Sequence, residues 1–99
     1  MKIITICGSL KYKDEMCNIA ERYALQGNVV LLPNFPIRDD YSKKEIETLG
    51  NMHKEKIKLS STIIVVNVDN YIGSATSSEI ELAQSLGKEI LYYTDIIKD

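Results

Sequence analysis

A chain of 99 residues with 44% hydrophobic and 26% charged residues supports one modest core, and is too short for a second domain or a separate lid. Its formal net charge of -2 gives no global attraction to nucleic acid or to an anionic membrane, although local groups can still hold a small anion. No apolar run approaches the roughly 20 residues of a membrane span, and the first run is short for a signal segment, so a cytoplasmic protein is expected.

Residues 2–7, KIITIC, are β-branched and nearly continuous, as in a strand buried on both faces. Gly8-Ser9 follows. Residues 13–26 then repeat apolar side chains at three- and four-residue spacing (Met16, Ile19, Ala20, Tyr23, Ala24), which predicts a helix ending at Gly27. NVVLL at 28–32 is a second strand, stopped by Pro33 and Pro36. Ser42 is placed to cap a long helix through residue 60, with Ile46, Leu49, Met52 and Ile57 expected on its buried side. TIIVVNV at 62–68 is the most strand-like run. A loop and a third helix ending near Leu86 come next, then EILYY at 89–93 and a short tail.

The order β-α-β-α-β-α-β predicts right-handed crossovers. The expected fold class is α/β: a single-domain, Rossmann/flavodoxin-like, three-layer fold with a four- to five-stranded parallel sheet over residues 1–99. Ligands in such sheets bind at the carboxyl ends of the strands, beside a switch in strand order. Function is therefore sought at 8–9, 33–41 and 67–79.

The third helix holds two glutamates. At about 100° per residue, Glu79 shares a side with Leu82, Ala83 and Leu86, whereas Glu81 shares the opposite side with Gln84, Ser85 and Lys88. Glu81 reads as surface. For Glu79 two readings stand. Thr76-x-x-Glu79 fits a capping box, in which the glutamate bonds back to the cap residue. Alternatively, a carboxylate in the first turn stays ionised near the positive end of the helix dipole and serves as nucleophile or base.

His53 is the sole histidine and shares a stripe with Leu49 and Ile57, while Lys54 points away. It is either a core histidine or a proton shuttle beside the carboxylate. Gly8 permits close approach of a ligand to the backbone, and Ser9 offers a hydroxyl and an N–H at a helix entrance. Lys11 and Lys13 are close enough in sequence to meet a phosphate, although such lysines are more often only solvated. Asn67, Asp69 and Gly73 follow the strongest strand, as substrate contacts or as plain turn chemistry. The chain lacks the GxGxxG and GxxxxGK[ST] fingerprints, and Cys7 and Cys17 form no metal-site spacing. No cofactor, metal or disulfide is expected.

Taken together, ICGSLKYKDEM, LLPNF and MHKEKIKLSSTIIVVNVDNYIGSATSSEIELAQSLGK resemble the nucleoside 2-deoxyribosyltransferase-like superfamily, in particular its small bacterial and phage members, over nearly the whole chain. The resemblance implies that Glu79, four residues before Ala83, is the nucleophile that attacks the anomeric carbon of a nucleoside or nucleotide. It also implies a ligand-contacting turn at Gly8 and Ser9, and protomers that complete each other's sites in a homodimer or higher oligomer. The better-known transferases carry an acid at about the place where this chain has His53. That departure leaves two expectations: cleavage or exchange of an N-glycosidic bond, or a non-catalytic nucleotide-binding module of the same fold.

Overall fold

Side-chain alternation along the two central strands decides which helix meets which residue. In the computed structural model, which describes residues 1–98, β1 (Ile3–Gly8) and β3 (Thr62–Val66) pair in parallel, with Cys7 opposite Val65 and Gly8 opposite Val66. Ile4, Ile6, Ile64 and Val66 point to one face and pack with Met16, Ile19 and Ala20 of α1 (Lys13–Leu25). Cys7, Ile63 and Val65 point to the other, against Ile57 of α2 (Lys43–Leu59) and Ile80 and Ala83 of α3 (Ser74–Ser85). Each fully buried isoleucine or valine contributes about 1.5–3 kcal/mol of hydrophobic transfer, which explains why these strands lack polar alternation.

β2 (Val29–Leu31) flanks β1 and β4 (Glu89–Tyr92) flanks β3, giving a four-stranded, all-parallel sheet of order β2-β1-β3-β4 with helices on both faces. The expected α/β, three-layer, Rossmann/flavodoxin-like architecture is present, with four strands. The chain runs outward from β1 to β2 and then from β3 to β4 on the other side, so the switch in strand order lies between β1 and β3. The tail is a further short helix, α4 (Tyr93–Ile96), whose Thr94 is bonded to Asn67.

Two local expectations are corrected. Ile46 and Met52 of α2 are exposed, and only His53 and Ile57 of this helix are buried. A 17-residue helix is about 26 Å long, whereas a five-residue strand is about 17 Å, so the N-terminal half of α2 runs past the sheet edge. The second correction concerns α3. Its N-cap is Gly73, with Thr76 inside the helix and buried, so Thr76-x-x-Glu79 forms no capping box. The buried stripe is Thr76, Ile80 and Ala83, one position round from the expected one. Leu86 is exposed and Glu79 lies on the flank of that stripe. Ser42 does form a capping box, but with Glu45 at the start of α2.

Candidate functional site

Beyond the carboxyl ends of β1 and β3 lies a cleft of about 700 Å³, within the size range of small-molecule sites. Its floor starts at Gly8. A Cβ there would sit 3.0 Å from the Val66 carbonyl oxygen and 3.3 Å from Val66 Cβ, so the close approach of β1 to β3 requires glycine. Ser9 carries the chain out of the sheet beside it. Pro33, Asn34, Pro36 and Tyr41 form a second wall, and Tyr71 and the first turn of α3 form a third.

Each wall has a local cause. After β2, the prolines prevent the strand from continuing, and Lys56 of α2 pins the loop by donating to the Leu32 carbonyl at 2.7 Å and Asn34 Oδ1 at 3.2 Å. Partial burial lowers the Lys56 ammonium below its ordinary value. After β3, Asp69 and Asn70 adopt positive φ of 53° and 62°, a conformation that short polar side chains tolerate best. The turn delivers Tyr71, whose ring packs edge-on to Tyr12 and lies 3.9 Å from Lys11 Nζ. Gly73 caps α3 without a side-chain bond, so the first N–H groups of the helix remain available at the cleft wall.

At the inner end of the cleft, α2 and α3 bring His53 and Glu79 together. His53 Nε2 is 3.5 Å from Glu79 Oε1, with the side chains 10% and 18% exposed. Behind them, Cys7 Sγ is 3.5 Å from the same imidazole nitrogen. Burial first, and then the charge and hydrogen bonding of the Glu79 carboxylate, push the Cys7 thiol well above its ordinary value. The C-terminal half of α2 is anchored one turn further on: the Thr5 and Ser60 hydroxyls and the Lys56 carbonyl form one hydrogen-bonded cluster, in which one hydroxyl donates to the other and the second donates to the carbonyl. Through this anchor, β1 holds α2 and hence His53 in register with Cys7. Glu79 is therefore a half-buried carboxylate beside a buried imidazole on an open cleft, an arrangement suited to nucleophilic or acid–base work. Glu81 is exposed on the far side of α3.

The candidates named from sequence separate into two groups. Gly8, Ser9, His53, Gly73 and Glu79 all line the cleft. Asn67 and Asp69 lie outside that lining. Asn67 is buried, donates from Nδ2 to Thr94 Oγ1 at 3.2 Å and accepts the Thr94 N–H at 3.2 Å, so its carboxamide ties β3 to the tail. Asp69 is exposed and shapes the left-handed turn. Residue identity at a strand end does not distinguish these uses, because the partner, Thr94, is 27 positions away. Tyr71 and the position of Cys7 behind His53 and Glu79 were missed from sequence, whereas His53 beside the Glu79 carboxylate was one of the two readings of that histidine. An aromatic inside a Gly-containing loop at a strand end was the available signal for Tyr71; Cys7, His53 and Glu79 share no local spacing at all.

No protein-family model matches this chain, and no curated protein matches it at a significant level.

Proposed function

We propose that the protein cleaves or exchanges the N-glycosidic bond of a nucleoside or nucleotide, with Glu79 as nucleophile. The observation that carries this reading is the convergence of Glu79 and His53 at the inner end of a cleft outside the switch point of a parallel sheet. The capping alternative for Glu79 is removed by the position of Thr76 inside α3. A Glu79 oxygen attacks the anomeric carbon as the carbon–nitrogen bond breaks, and the bond's electron pair leaves with the base. The resulting glycosyl ester is opened by water or by a second base, which restores the carboxylate; this is the logic of a retaining glycosidase. His53 supplies and recovers the proton that these two steps move.

Gly8 and Ser9 contact the sugar side of the substrate, and Tyr71 offers a flat face for the base. The first N–H groups of α3, which receive no side-chain cap among the described residues, favour with nearby Lys11 an anionic group such as a 5'-phosphate. No cofactor is needed for this chemistry. Ile46, 60% exposed on the open side of the cleft, is the apolar contact that a second protomer would cover in a homodimer or higher oligomer; sedimentation analysis tests that part of the proposal.

The decisive assay is a panel of nucleosides and nucleotides monitored for free base. Glu79→Gln is expected to reduce release at least about a thousandfold, with Glu81→Gln close to wild type. Equal rates for wild type and Glu79→Gln would end the nucleophile reading. Ligand-dependent thermal stabilisation with no release in any arm would assign a nucleotide-binding module instead.

A further inference from the structure

Three donor atoms of different chemistry meet where the cleft ends. Cys7 Sγ, His53 Nε2 and Glu79 Oε1 all lie within 4.8 Å of one another, and the imidazole nitrogen is 3.5 Å from both the sulfur and the oxygen. As an N–H···O hydrogen bond, 3.5 Å is long against the usual range of about 2.7–3.2 Å. As edges of a coordination tetrahedron the two 3.5 Å spacings fit, and the sulfur and the carboxylate oxygen lie within 4.8 Å of each other. Zinc–ligand distances of about 2.0–2.3 Å at the tetrahedral angle place neighbouring donors about 3.4–3.6 Å apart.

His53 Nδ1 is buried and has no hydrogen-bond partner among the described residues, so the outer acceptor that usually orients a metal-bound imidazole is not supplied by them, and the geometry of the three donors alone carries the inference. With the ring proton on Nδ1, the Nε2 lone pair points into the space shared with the sulfur and the carboxylate. A thiolate, a carboxylate and a neutral imidazole around a divalent ion sum to zero charge, which suits a site this buried. The mixed sulfur, nitrogen and oxygen set favours zinc or cobalt over magnesium or calcium. The donors stand on β1, α2 and α3, three rigid elements locked by the core.

We infer that Cys7, His53 and Glu79 form a three-ligand site for a zinc-type divalent ion, with the fourth position open to the cleft. On binding, the Cys7 thiol gives its proton to solvent and a sulfur–metal bond forms; His53 and Glu79 add lone pairs, and the ion stays divalent. The metal takes the oxygen that attacks in the proposed reaction, so at this site metal and glycosyl transfer exclude each other. That consequence rests on the nucleophile reading, whereas metal binding does not.

The probe is Co²⁺ titrated into the full chain without substrate. One equivalent is expected to produce a near-ultraviolet thiolate-to-cobalt charge-transfer band with tetrahedral visible absorption, both displaced by one equivalent of Zn²⁺. Cys7→Ser abolishes the charge-transfer band, His53→Gln weakens Co²⁺ binding at least about tenfold, and Cys17→Ser changes neither. Circular dichroism checks folding first, and His53→Gln serves as the test if Cys7→Ser fails to fold. Absence of the band in wild type, or a band that survives Cys7→Ser, overturns the site. Because no substrate is present, these outcomes are independent of base release: loss of one reading leaves the other standing.

Discussion

His53 Nε2 stands 3.5 Å from Glu79 Oε1, the imidazole on α2 and the carboxylate on α3, with strand β3 between the two helices in sequence. The proposed reaction uses both groups, so their effects should be coupled. His53→Gln is expected to lower the rate of base release by about 10²–10⁴-fold. Combining it with Glu79→Gln should give a double variant no slower than Glu79→Gln alone, since groups that act as a unit are not additive. Additive losses in single-turnover assays would show that the two residues work separately.

Gly8 is expected to be intolerant of any side chain. The atom nearest to an added Cβ is a backbone oxygen, Val66 O at 3.0 Å, which cannot rotate away. Gly8→Ala therefore costs about 1–3 kcal/mol in denaturant unfolding. Gly50, inside α2 with nothing within 4 Å, is the opposite case, and Gly50→Ala should stabilise by about 0.5–1 kcal/mol.

The two cysteines should differ in reactivity. Cys7 is buried, and both burial and the neighbouring Glu79 raise its thiol above the ordinary value, so at neutral pH it remains the unreactive protonated form. Cys17 is exposed. A disulfide reagent should titrate one thiol per chain in the native protein, and the second only after denaturant is added. Two fast thiols in the native state would contradict the packing of β1.

Glu45 and Glu89 set an acid limb to the stability. The Ser42 N–H and then the Arg38 guanidinium hold the Glu45 carboxyl below its ordinary value; Lys2 and then the Thr62 hydroxyl do so for Glu89. Folding lowers both values, so the unfolded chain binds more protons. The stabilisation is complete above the ordinary carboxylate value and is lost as pH falls through the folded values. The melting temperature of Glu45→Gln/Glu89→Gln is expected to be lower at neutral pH and to fall less steeply below about pH 5. An unchanged acid slope would count against this assignment. Ser42→Ala, which removes the other half of the capping box, should cost about 1 kcal/mol at neutral pH.

Much of the cleft's location was legible in advance. β-branched runs and helical spacing place Gly8 and Ser9 at the end of β1 and Gly73 in the loop before α3, because those patterns follow from a period of 2 or 3.6 within a few residues. Glu79, expected in the first turn of that helix, lies in its second, because α3 begins at Ser74. Helix α2 shows the limit. Ile46 and Met52 carry the same apolar signal as Ile57, yet burial depends on how far the sheet extends under the helix. Thr76-x-x-Glu79 is a good capping box in sequence, and it fails because α3 starts earlier, at Gly73.

The sequence by itself determined the parallel α/β order, the strand ends beside which the cleft opens, and that Glu79 rather than Glu81 turns away from solvent. Only the tertiary structure decided that Asn67 belongs to Thr94 and that Cys7, His53 and Glu79 share one point. The physical reason is range. Periodicity reports which way a side chain leaves its own strand or helix, whereas the strand pairing and two helix packings that join β1, α2 and α3 set distances between residues 26 and 46 positions apart.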